Sequence, residues 1–176
     1  MRKLIDPAAR SRRWLRLVFC LMGSWAILPS VLGQRVVVIN TSPSVAPGLY
    51  IRSTAKPAVG ETVDFLIPSV ARPYVRERTG QEGRAWYILK PIVAGPGDRV
   101  DTTGPSLVIN GRIIAPMPTE RDGAGRKLPV WRENRVLGPD EFFVFSSRIP
   151  NSFDSRCYGP ILRKDIASVR RPLLTW

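Results

Sequence analysis

The sequence predicts a mainly β protein, an antiparallel β domain set behind an N-terminal hydrophobic helix. Three observations carry that expectation. Seventeen prolines and fourteen glycines cut the chain into short runs joined by turns, a composition that favours short strands over long helices. Leu107-Val108-Ile109 and Arg112-Ile113-Ile114 flank the pair Asn110-Gly111, the dipeptide of a type I′ hairpin turn between apolar runs. From Leu17 to Gln34 no residue is charged and most are apolar, which sets an N-terminal segment apart from the body.

That segment is at the short end of the roughly 17–25 residues a spanning helix needs. Arg2, Lys3, Arg10, Arg12, Arg13 and Arg16 precede it, with only Asp6 opposing them. A basic flank of this kind keeps the N-terminus cytoplasmic and sends the remainder outward, and it argues against a buried core helix. Val31-Leu32-Gly33, after Pro29, also reads as a small-residue cleavage site, so the segment is either a membrane anchor or a removable signal. In both cases residues 1–34 deliver the chain, and residues 35–176 form an exported, periplasmic domain.

Strands are expected at Arg35–Ile39, Leu49–Arg52, Glu61–Ile67, Trp86–Val93, the two hairpin arms, Glu141–Phe145 and Ile166–Arg170. One short helix is expected around Tyr74 to Arg78. Turns fall at Pro57 to Gly60 and at Gly95-Pro96-Gly97-Asp98, and Pro116 to Pro129 reads as a mobile polar loop. Short strands joined by such turns make an antiparallel architecture.

A hydrophobic content of 44% argues against disorder. The formal charge of +13 points to an anionic partner, but +5 of it sits in the N-terminal cluster, +8 is spread over the rest, and no DNA- or RNA-binding signature is present. The inner membrane surface fits better than a specific nucleic acid. Cys20 lies in the apolar segment and Cys157 far downstream, so no disulfide framework is expected. With two cysteines and no histidine a zinc site is close to excluded.

The body is organised around Asn40-Thr41-Ser42-Pro43-Ser44-Val45-Ala46-Pro47-Gly48-Leu49-Tyr50. Ser42 and Ser44, fenced by Pro43, Pro47 and Gly48, lie on a stiff loop that presents hydroxyls. The plain alternative is a loop whose serines only cap and turn. With no histidine in the chain, a nucleophilic serine needs another base, and lysine is the recognised substitute. Lys3 falls on the cytoplasmic side, and Lys56, Lys127 and Lys164 sit among turn or charged residues. Lys90 differs, because on a strand it shares a face with Ile88 and Ile92. Burial there disfavours the ammonium. Falling about 3 units from near 10.4 costs roughly 4 kcal/mol of differential solvation. The alternative is a lysine whose stem packs while its tip reaches water.

Three ordered motifs extend the argument: the serine loop; Lys90-Pro91 ahead of Ala94-Gly95-Pro96-Gly97-Asp98-Arg99-Val100; and Ser152-Phe153-Asp154-Ser155-Arg156-Cys157-Tyr158-Gly159-Pro160. Together they resemble the type I signal peptidase family. Within it the resemblance is to the conjugative-transfer maturation peptidases, marked by an Asn-led serine loop ending in Gly-Leu-Tyr and by a Lys-Pro pair. The resemblance implies a signal-peptidase-like β domain with Ser44 as nucleophile and Lys90 as general base, the two within hydrogen-bond reach. It implies that Ser42 assists the Ser44 N–H in an oxyanion hole, and that Asp154 and Arg156 buttress the lysine side. The implied substrate is a pilin precursor polypeptide at the outer face of the inner membrane. Its acyl group passes to water or, with cyclisation, to the substrate's own N-terminus; no metal or organic cofactor takes part. The chain departs from the family in carrying Ala46 where proline is usual, with Pro47 next to it, and Cys157 where an aromatic is common. Cys157 is given no catalytic role. Two other functions stay open: a general type I signal peptidase, and a non-catalytic β component of a conjugation or secretion channel, which would need no contact between Ser44 and Lys90.

Overall fold

A computed structural model describes residues 36–80, 86–122 and 124–176. The hydrophobic segment and its basic flank lie outside the described residues. The strands are β1 (Val37–Asn40), β2 (Gly48–Ser53), β3 (Thr62–Leu66), β4 (Tyr87–Ala94), β5 (Arg99–Asp101), β6 (Ser106–Ile109), β7 (Arg112–Pro116), β8 (Asn134–Val136), β9 (Glu141–Val144), β10 (Ile161–Leu162) and β11 (Ile166–Thr175). The helices are α1 (Arg72–Thr79) and α2 (Ser155–Tyr158). A seven-stranded sheet runs in the order β1-β2-β11-β3-β4-β9-β10, and a four-stranded sheet in the order β7-β6-β5-β8. The pairings of β11 with β2 and β3, β3 with β4, and β4 with β9 are all antiparallel. The expectation of a mainly antiparallel β domain holds.

Local chemistry explains most of these elements. Asn110 and Gly111 take φ of 49° and 79°, the double positive φ of a type I′ turn, and β6 and β7 close on it. The Asn110 side chain adds a cross-link, accepting from the Arg99 N–H and donating to Asp98 Oδ1, both at 2.8 Å. Helix α1 begins with proline in its first turn and ends at Gly80 in the left-handed region, φ 66°, the usual start and stop. The Pro116–Pro129 segment has more internal order than its composition suggests. Arg121 bridges Lys127, and the Asp122 carboxylate accepts from the Ala124 and Arg126 N–H groups and from the Tyr74 hydroxyl.

Two features of the large sheet position the loop and the lysine. The last strand, expected to stop at Arg170, continues past an irregularity between Pro172 and Leu174 to pair Thr175 with Gly48. The Trp176 N–H then donates to the Pro47 carbonyl at 3.1 Å, tying down the base of the serine loop. Gly48 is required there, because a Cβ would collide with the Leu174 carbonyl oxygen. The second feature is Pro91 inside a strand paired on both sides, a position proline usually avoids. The Ile92 N–H and C=O both bond toward the β3 side, to Glu61 and Gly60, so the missing N–H of Pro91 faces β9. That strand is ending there, and the Pro91 carbonyl still accepts from the Phe145 N–H at 3.1 Å. The sheet therefore tolerates Lys90-Pro91 in its interior.

One core lies on the Lys90 face of the large sheet, with Val63, Phe65, Ile92, Phe142, Val144, Ile161 and Val169 among its members. A second joins Ala94, Phe143 and Phe145 to Val100, Leu107, Ile109 and Leu137. Burial at roughly 25 cal/mol per Å² of apolar surface makes these cores the main stabilising term.

Candidate active site

The serine loop connects β1 to β2, and its shape is set by Asn40, the last residue of β1. The Asn40 side chain accepts from the Ser42 N–H at 3.1 Å and donates to the carbonyls of Ser42, Val45 and Ala46 at 3.1, 3.0 and 3.1 Å. Tyr50, from the Gly-Leu-Tyr end, donates its hydroxyl to the Ala46 carbonyl at 2.7 Å. The loop thus holds its course although Ala46 stands where proline is usual. Ser44 is buried while Ser42 is exposed. Their hydroxyls share a hydrogen bond of 2.9 Å, and the Ser44 N–H points toward Ser42 Oγ at 3.5 Å.

Lys90 occupies the middle of β4, opposite Val63 of β3, and is only 4% exposed. The tip does not reach water as a snorkelling lysine's would. It donates to Ser152 Oγ at 2.9 Å, and among the described residues no carboxylate forms an ion pair with it. Burial drives the Lys90 pKa down from 10.5 to about 8; Asp154 and Cys157 pull it back up, and Arg156 and Arg78 help lower it. Desolvation is the dominant cause.

The structure does not bond the two predicted partners to each other: Ser44 Oγ is engaged with Ser42, and Lys90 Nζ with Ser152. Both are instead tied to one segment, Ser146 to Arg156. The Ser146 hydroxyl donates to the Ser44 carbonyl, and Ser152 Oγ accepts a hydrogen bond from Lys90 Nζ. Ser152 stands at the head of the third motif, but the sequence reading attached no role to it. The signal was the hydroxyl two residues before Asp154. Ser146 and Arg148 carry no sequence signal at all.

Asp154 and Arg156 form a fully buried ion pair, with Arg156 Nε and Nη2 donating to the two carboxylate oxygens at 2.9 and 3.0 Å. Arg156 also donates to the carbonyls of Pro116 and Ser152, at 2.8 and 3.3 Å, and lies 4.6 Å over the Phe145 ring. Asp154 caps α2 by accepting the Arg156 N–H at 3.2 Å. The pair thus fixes the backbone that carries Ser152, and Arg156 engages the carboxylate whose charge pulls the Lys90 pKa upward. Cys157, the other neighbour of Lys90, is buried, and its thiol is pushed up to about 12, mainly by burial. It stays protonated and is a poor nucleophile.

A buried hydroxyl on a shaped loop and a desolvated lysine with a lowered pKa are the parts from which a histidine-free acyl-transfer site is built. Comparisons with known proteins identify the family. A family model described as signal peptidase, peptidase S26, matches residues 11–174. Two plasmid transfer proteins TraF of Escherichia coli are 33% and 32% identical over 147 and 146 residues, each alignment spanning 78% of this chain and 82% of the relative. A conjugal transfer protein TraF of Agrobacterium tumefaciens (strain 15955) is 32% identical over 148 residues, with the same coverage. A solved signal peptidase I from Enterococcus faecalis V583 aligns with 66% of this chain at 16% identity and a TM-score of 0.38, too low to add to this. The chain belongs to the signal peptidase, peptidase S26, family.

Proposed function

We propose that this protein is a serine peptidase of a conjugation system, using Ser44 as nucleophile and Lys90 as general base on a pilin precursor at the periplasmic face of the inner membrane. The observation that carries the reading is Lys90: buried, without a carboxylate partner among the described residues, oriented by a hydroxyl, and brought to a pKa of about 8. A non-catalytic channel component has no use for an ammonium kept at such a cost. The TraF relatives supply the conjugation context.

In the reaction the neutral amine of Lys90 takes the Ser44 proton as Oγ attacks a peptide carbonyl. This requires the Ser44 hydroxyl to exchange Ser42 for Lys90, since catalytic hydrogen bonds often tighten only when substrate binds. Ser42, once released, can donate with the Ser44 N–H to the developing oxyanion. Ser152 keeps the amine oriented. The amine leaving group departs with a proton from Lys90, and the acyl-enzyme passes to water or to the substrate's own N-terminus. The decisive experiment is mass spectrometry of a pilin precursor incubated with the protein and with Ser44→Ala. A shortened chain, or one shortened and lacking a further water, is expected only with the unaltered protein.

Two further outcomes follow. Below its pKa the neutral fraction of Lys90 grows tenfold per pH unit, so kcat/KM should climb with unit slope and level off near pH 8. A profile flat from pH 6 to 9 would remove Lys90 as the base. Ser42→Ala should lower kcat by about 10–1000-fold, the effect of one oxyanion donor, while Ser44→Ala should leave no turnover.

The residues 1–34, read as anchor or signal, would place the body outside the cytoplasm. Exposed Ile39 on β1, and exposed Leu173, Leu174 and Trp176 at the end of the chain beside the base of the serine loop, support a site close to a lipid surface. Alkaline phosphatase fused after Trp176 should be active in cells. An inactive fusion would place the site in the cytoplasm and end the export reading.

A further inference from the structure

The carbonyl oxygens of the serine loop are held by side chains one after another. Asn40 takes those of Ser42, Val45 and Ala46. The two that flank the nucleophile are taken from much farther along the chain. Ser146 donates its hydroxyl to the Ser44 carbonyl, and Arg148 Nε donates to the Pro43 carbonyl at 3.2 Å. Ser146 is buried and accepts in turn from the Arg148 N–H at 3.3 Å, so the two act from one short turn after β9.

A trans peptide is planar, with its C=O and N–H pointing in opposite directions. Holding the Pro43 oxygen therefore sets the direction of the Ser44 N–H, and holding the Ser44 oxygen sets that of the Val45 N–H. The proline ring fixes the φ of Pro43, which leaves its ψ and the φ of Ser44 as the torsions through which the Pro43–Ser44 plane can turn. Asn40 and Tyr50 shape the rest of the loop without touching this plane, whose Ser44 N–H faces Ser42 Oγ at 3.5 Å.

We propose that Ser146 and Arg148 are positioning residues that lock the two peptide planes on either side of Ser44 and so aim its N–H at the oxyanion. The inference rests on Ser44 being the nucleophile. Neither residue touches the reacting atoms; both act through the backbone. Losing an oxyanion donor lowers kcat by about 10²–10³-fold, and a plane left free to turn presents its donor only part of the time.

The test compares Arg148→Met and Ser146→Ala with their conservative partners Arg148→Lys and Ser146→Thr. One readout needs no substrate: the amide resonance of Ser44 in an isotope-labelled sample. It should shift or broaden in Arg148→Met and Ser146→Ala, while the Asn40 side-chain amide signals stay in place, showing that the loop itself persists. With a quenched fluorogenic peptide that the unaltered enzyme cleaves, kcat should fall about 10–100-fold with KM within about threefold. The midpoint of the pH profile should stay where Lys90 puts it, and the lysine and threonine variants should recover most of the loss. A Ser44 resonance unmoved in both variants, or kcat within twofold of the unaltered enzyme, overturns the proposal. Peptide cleavage that survives Ser44→Ala would instead overturn the reading it rests on, whatever the amide shows.

Discussion

Lys90→Arg is expected to abolish processing, by on the order of 10⁴-fold or more, the upper range for loss of a general base. A guanidinium stays protonated at any pH the protein survives and cannot accept the Ser44 proton. The larger head must also fit a site that is 4% exposed, so the variant needs a companion that leaves packing alone. Lys90→Met is that companion, of similar length and without charge. Holding the Lys90 pKa near 8 instead of 10.5 corresponds to about 3 kcal/mol of differential interaction against the ammonium. Methionine escapes that cost and gives up one hydrogen bond to Ser152, worth about 1 kcal/mol. Lys90→Met should therefore be inactive yet melt higher than the unaltered protein at pH 7. The sign of the pH dependence follows from linkage. The folded form releases its proton near pH 8 and the unfolded form near 10.5, so the unaltered protein gains stability as pH rises between them. The advantage of Lys90→Met should shrink over that window. Thermal melts at pH 7 and pH 10 measure it, and a Lys90→Met that processes substrate would remove lysine from the mechanism.

Much of this was legible in the sequence because the signals were local. The Asn110-Gly111 turn specifies its hairpin through two positive φ angles that few other dipeptides tolerate. Lys90 could be singled out by strand alternation alone, since Ile88 and Ile92 define an apolar face. The strands β5, β8 and β10 escaped notice because they have three, three and two residues, too few for alternation to register; neighbouring ladders form them. The extension of β11 to Thr175 was hidden by Pro172, which reads as a strand end but falls at an irregularity in the pairing with β2. Tertiary contacts were hidden more completely. Ser146 and Arg148 act on the serine loop across 102 and 105 residues. Lys90 meets Ser152 across 62. The sequence reading joined Ser44 directly to Lys90; the structure shows the Ser44 hydroxyl bonded to Ser42 and the Lys90 amine to Ser152.

Asp154→Ala is expected to be the most damaging change outside Ser44 and Lys90, and its effect is on stability first. The Asp154 and Arg156 side chains are 0% and 2% exposed. Removing the carboxylate strands a guanidinium where water cannot reach it, which costs about 3–5 kcal/mol. For a chain of this size that lowers the melting temperature by on the order of 10 °C. The loss of the α2 cap adds to it. Replacing both members with apolar residues should cost less than removing either one, because no charge is then left unpaired. The two single changes should also move the active site in opposite directions. Asp154 draws the Lys90 pKa upward and Arg156 pushes it down. Asp154→Asn, which keeps the shape, should shift the midpoint of the kcat/KM profile below pH 8, and Arg156→Met should shift it above. The second shift requires that Arg156 now shields Lys90 from the carboxylate, and so separates that role from mere support of the fold. Equal melting temperatures for Asp154→Ala and the unaltered protein would show that the ion pair is not what holds the Ser152 segment. Midpoints that move the same way in both variants would show that neither charge is felt at Lys90.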